Sequence, residues 1–319
     1  MSIPQNLRNE VAEFTAFLDD PDRSEPDQYE LVEARFDCLK FTTQALEASG
    51  GFPPDDVRGF QEWFQHETNP WLLRSPMVTR ARLWPEGYPG DYKTLEGVYA
   101  NQPSGEGVGL HIDRYFLSRT LAVAVRSRLR RLSELLRLRA AVEQTDVKWL
   151  NMACGPCREL QYISPAIKNR TIFCVDSDAN ALLYAKKLLA TSQVGQCQFL
   201  AENAYRFANA QRNVKRFGYF STIYSAGLFD YIPSDRLAII ISSLYHSLAD
   251  GGVLIAPFKD CTRYETFDYH WASRWHFFLQ RSESDFRGVF NSAGVPEDAV
   301  RMERDSSGVL LFFTIYKCL

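Results

Sequence analysis

Two short segments carry residue types that could do chemistry. Val147–Cys157 reads Val-Lys-Trp-Leu-Asn-Met-Ala-Cys-Gly-Pro-Cys, and Thr171–Asp176 reads Thr-Ile-Phe-Cys-Val-Asp. Both begin as apolar runs, and a helix-forming stretch separates them, so together they read as a βαβ unit. The small residues after the first strand let backbone N–H groups approach a ligand closely. Asp176, at the end of the second strand and followed by Ser177, is placed to accept two hydrogen bonds from a ribose diol. Asp178 is the acid suited to cap the helix that starts at Ala179. Within the turn only Gly155 is glycine; Ala153 and Cys157 stand where a dinucleotide fingerprint carries its other glycines. The pattern therefore implies a nucleoside without a pyrophosphate loop, and a P-loop is absent too.

Three other groups of residues invite a chemical reading. Cys154 and Cys157 form a CxxC that opens a helix after a strand, as redox pairs do. Pro156 lies between them and no second cysteine pair accompanies them, so packing of small side chains in the turn is the preferred reading over thiol chemistry or zinc. Arg126, in Ala122-Val-Ala-Val-Arg126, sits in an apolar neighbourhood where a guanidinium could fork onto a carboxylate. The segment Asp268–Phe278 holds two of the five histidines and two of the six tryptophans. It reads either as a substrate wall with His270 or His276 as base, or as a packed amphipathic helix.

The elements that must position these residues follow from periodicity. Residues 1–145 read mostly as helices, with apolar residues at helical spacing over Asn6–Leu18, Gln28–Ala48 and Pro54–Gln65. Trp84–Tyr92 and Gln102–Gly109 are Gly/Pro-rich breaks, and a continuous helix is expected from Ile112 to Val142. From Val147 strands and helices alternate. Strands are expected at Lys148–Met152, Ile172–Val175, Gln196–Ala201, Phe220–Ser225, Val253–Phe258, Ala299–Glu303 and Val309–Lys317. The last two form a hairpin, an antiparallel addition to a parallel core. The expected division is a helical N-terminal domain, 1–145, and a Rossmann-like α/β domain, 146–319.

Composition narrows the class. The chain has 319 residues, 45% of them hydrophobic and 13% aromatic, enough for one large α/β domain and a smaller helical one. A net charge of −3 argues against a nucleic-acid protein held by bulk electrostatics. Ile112–Arg139 holds eight arginines, read as a solvated helix face interleaved with core leucines. No run approaches the ~18 apolar residues of a membrane span. The N-terminus has no basic and apolar leader, and seven scattered cysteines suit reduced thiols, so a cytoplasmic location is expected.

On the turn at Asn151–Cys157 and the acid Asp176, the chain resembles the class I S-adenosyl-L-methionine (SAM)-dependent methyltransferases. Their first motif is usually acid-x-Gly-x-Gly-x-Gly, from which this chain departs at Asn151, Ala153 and Cys157. The resemblance implies SAM held by Ala153, Cys154 and Gly155 in the turn and by Asp176 and Ser177 at the ribose. Asn203, in Ala201-Glu-Asn-Ala204, falls where the family reads the adenine amino group, with Ala204 beside it; a turn asparagine capping the next helix is the other reading. Tyr224–Tyr231 falls at the family's fourth motif. There Tyr224 and Ser225 would flank the donor's sulfonium end, and Tyr224, Phe229 and Tyr231 offer aromatic faces to a cation.

Gly87–Tyr92 with Tyr99, Val125–Arg128 and Tyr224–Tyr231 together are similar to a subgroup that includes proteins of 3-hydroxypalmitate methyl ester (extracellular factor) biosynthesis. This resemblance implies a helical cap over the SAM site that contributes Tyr88, Asp91, Tyr92 and Arg126. Tyr88 and Tyr92 would line the reacting centre, and Arg126 would hold the methionine carboxylate or a substrate acid. Residues before about 75 carry no placeable motif.

The expected function is methyl transfer to a small metabolite or carboxylic acid, with Tyr92, Tyr231 or His270 as base and a monomer or homodimer as the unit. The alternative on the same fold is cyclisation of SAM to azetidine-2-carboxylate with release of methylthioadenosine. A non-catalytic or nucleic-acid-binding SAM protein is disfavoured by the acidic charge and the aromatic residues. No metal is expected.

Overall fold

The computed structural model describes residues 2–275 and 278–318, so His276 lies outside the described residues. The chain folds as two compact units, Met1–Val123 with Tyr264–His276, and Ala124–Arg263 with Phe277–Leu319.

The first unit is helical: α1 (Gln5–Asp19), α2 (Tyr29–Ala48), α3 (Pro54–Leu72), α4 (Pro76–Leu83), α5 (Tyr92–Ala100) and α6 (Val108–Ser118). In α1 the buried residues are Leu7, Val11, Phe14 and Leu18, the three-and-four spacing of one helix face. They join Val32, Phe36 and Leu39 of α2, Phe60 and Phe64 of α3, and Tyr115 and Phe116 of α6 in one core. Phe267, Trp271 and Ala272 belong to the same core, though they come late in sequence. Trp271 Nε1 donates to Glu47 Oε1 at 2.8 Å. Phe267–Trp271 is a single turn of π-helix.

Helix α7 (Thr120–Val142) starts after a break where one continuous helix was expected. Arg119 is extended at ψ 158°. Its guanidinium reaches Glu33 at 2.7 Å while its Nε donates to the Tyr115 carbonyl at 3.2 Å. Tertiary contacts, with no Gly or Pro, end the helix there.

The second unit carries β1 (Lys148–Met152), α8 (Arg158–Tyr162), β2 (Thr171–Asp176), α9 (Ala179–Leu189), β3 (Gln196–Ala201), α10 (Ala210–Phe217) and β4 (Phe220–Tyr224). Then come α11 (Ser234–His246), β5 (Leu248–Lys259), α12 (Glu283–Ser292), β6 (Val300–Arg304) and β7 (Leu310–Tyr316). The sheet order is β3-β2-β1-β4-β5-β7-β6. β1 to β5 pair in parallel, whereas β7 is antiparallel to both β5 and β6. This is the Rossmann-like α/β sheet read from the sequence, with its antiparallel C-terminal hairpin. β5 begins earlier than expected. A register shift between Phe220 and Thr222 lets Leu248 pair with Phe220, so the Asp250-Gly-Gly252 run is absorbed into the strand.

β1, β2 and β4 are largely buried because both faces are covered, whereas the edge strand β3 is half-exposed. Leu150, Met152, Ile223 and Leu254 contribute to one core with Leu237, Ile241 and Leu244 of α11. Helix α7 is fastened by polar pairs: Arg131 forks onto Glu303 at 2.6 and 2.7 Å, and Glu143 accepts from Trp149 Nε1 and Thr222 Oγ1, each at 2.8 Å.

Candidate active site

The site is built at the carboxyl ends of β1, β2, β4 and β5, the edge where open α/β sheets bind ligands. Beyond β1 the chain turns through Ala153 (φ 48°), Gly155 (φ 51°) and Cys157 (φ 54°). Two of these left-handed positions are not glycine, so hydrogen bonds must hold the turn in place. The Cys154 amide donates to the Val175 carbonyl at 3.0 Å, and the Gly155 amide donates to Asp176 Oδ2 at 2.8 Å. Asp176 Oδ1 accepts from the Asp178 amide at 2.9 Å. Burial pushes the Asp176 carboxyl up from its ordinary value, and the amides of Asp178, Gly155 and Ser177 oppose that. Each carboxylate oxygen has a second lone pair, so two amide bonds leave capacity for two hydroxyls. Asp178 caps α9 through the Asn180 amide at 2.8 Å, as its position implied.

Inside the turn lies a buried acid that sequence reasoning did not single out. Glu159 Oε1 accepts from Asn151 Nδ2 at 2.8 Å and from the Tyr224 hydroxyl at 3.0 Å. Burial pushes its carboxyl up to about 7, against its own backbone amide, Tyr224, Asn151 and the Arg128 charge. Asn151 stands where the motif it resembles carries an acid. It donates to Glu159, so a carboxylate is present in this corner but comes from α8. The thiols of Cys154, Cys157 and Cys174 are buried together here. The Cys154 thiol, then Cys174, then burial hold Cys157 well above its ordinary value, a protonated and inert state. Among the described residues no cluster of three His, Cys, Asp or Glu side chains could hold a metal ion.

At the ends of β4 and β5 a second polar group is buried. Lys259 Nζ lies 2.6 Å from Asp230 Oδ2, and both residues are almost fully buried. Burial lowers the Lys259 ammonium, Asp230 opposes this and Arg128 adds to it. The ammonium also lies 4.7 Å from the Phe278 ring centroid and 6.0 Å from that of Tyr231.

The other expected site residues take these positions. Asn203 is exposed and caps the turn Ala204–Phe207, its Oδ1 accepting from Tyr205 N at 2.9 Å; Ser177 is exposed beside Asp176. Tyr224 is fully buried with its hydroxyl on Glu159, and Ser225 Oγ accepts from the Leu228 amide at 3.4 Å. Phe229 packs in the core 6.0 Å from Phe258, while Tyr231 is half-buried. Arg126 is half-buried on α7, its guanidinium lowered by burial and by Arg130. Tyr88, Tyr92 and His270 belong to the first unit. Tyr92 is buried at the start of α5, Tyr88 lies in the exposed turn before it, and the His270 ring stacks edge-on to Tyr269 at 4.3 Å.

No family model matches the sequence, and a search of characterised proteins finds no match. Solved structures do match. A possible exported protein from Bordetella parapertussis is 18% identical over 100% of both chains, with a TM-score of 0.62. That likeness extends the shared fold to the whole chain. The plantazolicin methyltransferase, solved with a triazolic desmethylPZN analogue and S-adenosylhomocysteine, is 14% identical over 71% of this chain and 97% of its own, at TM-score 0.46. Magnesium protoporphyrin IX methyltransferase from Synechocystis PCC 6803, solved with SAM, is 11% identical over 62% and 83%, at TM-score 0.43. Among the described residues no helix is long and apolar enough to cross a membrane.

Proposed function

We propose that the chain is a SAM-dependent transferase acting on a small molecule. The observation that carries this reading is the union of a methyltransferase-type sheet with a turn that suits a nucleoside but not a pyrophosphate. An NAD-binding sheet of this kind continues in parallel past its fifth strand and opens its first helix with a Gly-rich cradle. Here β7 is antiparallel and the turn has one glycine at Gly155.

The residues present fit the donor. Asp176 would take the ribose diol, with Ala153, Cys154, Gly155 and Ser177 around it and Asn203 and Ala204 toward the adenine. Tyr224 and Ser225 lie at the strand end proposed for the sulfonium. SAM would supply an electrophilic carbon on a sulfonium; the protein would supply alignment and a dry surface. Tyr92, Tyr231 and His270 are the proposed proton acceptors, and a small metabolite or carboxylic acid is the proposed acceptor. By likeness of motifs, biosynthesis of a signal or secondary metabolite is the proposed setting.

Azetidine-2-carboxylate formation, with release of methylthioadenosine, is the second reading. Glu159 favours it: a buried carboxyl that ionises at about 7 can hold the proton an amine gives up. Incubation of the protein with SAM alone, followed by mass spectrometry, separates the two. Methylthioadenosine with a four-carbon amino acid establishes cyclisation. S-Adenosylhomocysteine formed only when an acceptor is added establishes methyl transfer.

A further inference from the structure

Along α7 the residues Ala124, Arg128, Leu132, Leu136 and Ala140 are all buried, one every four residues. Four of them are apolar. The remaining position of this inward stripe is an arginine, 5% exposed, with its Nε sealed from solvent. Among the described residues Arg128 makes no hydrogen bond and no ion pair. A guanidinium cannot shed its proton to escape burial. An isolated buried charge is costly, and natural cores pair it.

The surroundings show that the backbone makes room for the arginine. A methyl group built on Gly227, just past β4, would lie 2.5 Å from Arg128 Nη1 and 3.2 Å from its Cζ. The Nη1 edge of the fork therefore packs directly against a glycine at the carboxyl edge of the sheet. Two charged groups feel it, Glu159 and Lys259. Neither serves as its counter-ion. Glu159 is held by Asn151 and Tyr224, and Lys259 is neutralised by Asp230.

We infer that Arg128 is a carboxylate-binding residue of this site. The planar fork matches a carboxylate in two-pronged geometry. A phosphate is disfavoured, because the Gly-rich cradle of backbone amides that would accompany it is missing. The carboxylate has two sources: the amino-acid arm of the donor, or an acceptor acid. Only the choice between them rests on the proposed donor.

The test is calorimetry on wild type, Arg128→Met and Gly227→Ala with S-adenosylhomocysteine, methylthioadenosine and benzoate as probes. If the donor's carboxylate is bound, Arg128→Met weakens S-adenosylhomocysteine by about ten- to a hundredfold and leaves methylthioadenosine unchanged. If an acceptor acid is bound, both adenosine compounds bind as before, and benzoate binds the S-adenosylhomocysteine-saturated wild type but not the saturated variant. Gly227→Ala keeps the charge but displaces the fork, and it should weaken the same probe. The unliganded Arg128→Met protein should melt at or above the wild-type temperature, because it loses an unpaired charge.

A lowered midpoint with all probe affinities intact makes Arg128 structural and overturns the inference, as do unchanged affinities at an unchanged midpoint. If wild type binds neither adenosine compound, the donor reading fails by itself and benzoate alone decides. Binding lost in Arg128→Met then upholds the inference, and equal or absent binding in both proteins overturns it.

Discussion

The backbone amide of Gly155 donates to Asp176 Oδ2 at 2.8 Å, fastening the turn after β1 to the end of β2. One carboxylate thus shapes the turn and remains able to receive hydroxyls. The hydrogen bond also explains how Ala153 and Cys157 hold left-handed conformations that glycine would adopt more cheaply. Replacing Asp176 should therefore both loosen the turn and remove the proposed diol acceptor.

Glu159→Gln should change how stability depends on pH. The folded-state pKa of about 7 lies above the ordinary carboxyl value, so the folded protein binds more protons than the unfolded chain between about pH 4.5 and 7. Stability from this group is present below that window and is lost as pH rises through it. Glutamine mimics the protonated form. The variant should gain on wild type by roughly 3 kcal/mol across the window, read by urea unfolding at pH 5 and pH 8. An equal difference at both values would contradict the assignment.

The Lys259–Asp230 pair should be costly to break from one side. Lys259→Met strands a buried carboxylate, and a loss of about 3–5 kcal/mol is expected by denaturant unfolding. Adding Asp230→Asn should restore part of it. A double variant no more stable than Lys259→Met would show that the two residues act independently.

Arg82 fixes the late segment of the first unit. Its guanidinium donates to the Ala272 carbonyl at 2.7 Å, the Gln65 carbonyl at 3.0 Å, Asn69 Oδ1 at 2.7 Å and Thr68 Oγ1 at 3.0 Å. Arg82→Met leaves these buried acceptors unmet and should cost about 2–4 kcal/mol. Hydrogen exchange should show faster opening across Phe267–Trp271 in the variant; unchanged protection there would argue against this role.

Cys157→Ala should leave S-adenosylhomocysteine binding and turnover largely intact, because the thiol packs among Cys154 and Cys174 and is held protonated. Loss of turnover with binding preserved would instead assign it chemistry.

Much of the second unit is visible in the sequence because its strands are short apolar runs bounded by turns. β1 and β3 lie where periodicity places them, and β2 and β4 differ by a residue at their ends. The break at Arg119 and the docking of Phe267–Trp271 are not visible, because both depend on partners distant in sequence, Glu33 and Glu47. The turn and Asp176 are local and legible. Glu159 is hidden: an acid in a first helical turn is ordinarily a surface residue, and only Asn151 and Tyr224 show why it is buried. Arg128 had a usable signal in Val125-Arg-Ser-Arg128. The four-residue stripe from Ala124 to Ala140 runs through Arg128 and not through Arg126, so helical spacing alone singles out the more buried arginine.

The most direct measurement is calorimetric titration of S-adenosylhomocysteine into wild type and Asp176→Ala, with NAD as the control ligand. Wild type should show one saturable site, the variant an affinity lower by about ten- to a hundredfold, and neither should bind NAD. Equal affinity in the two proteins, or wild type that binds NAD and not S-adenosylhomocysteine, would contradict the proposed donor site.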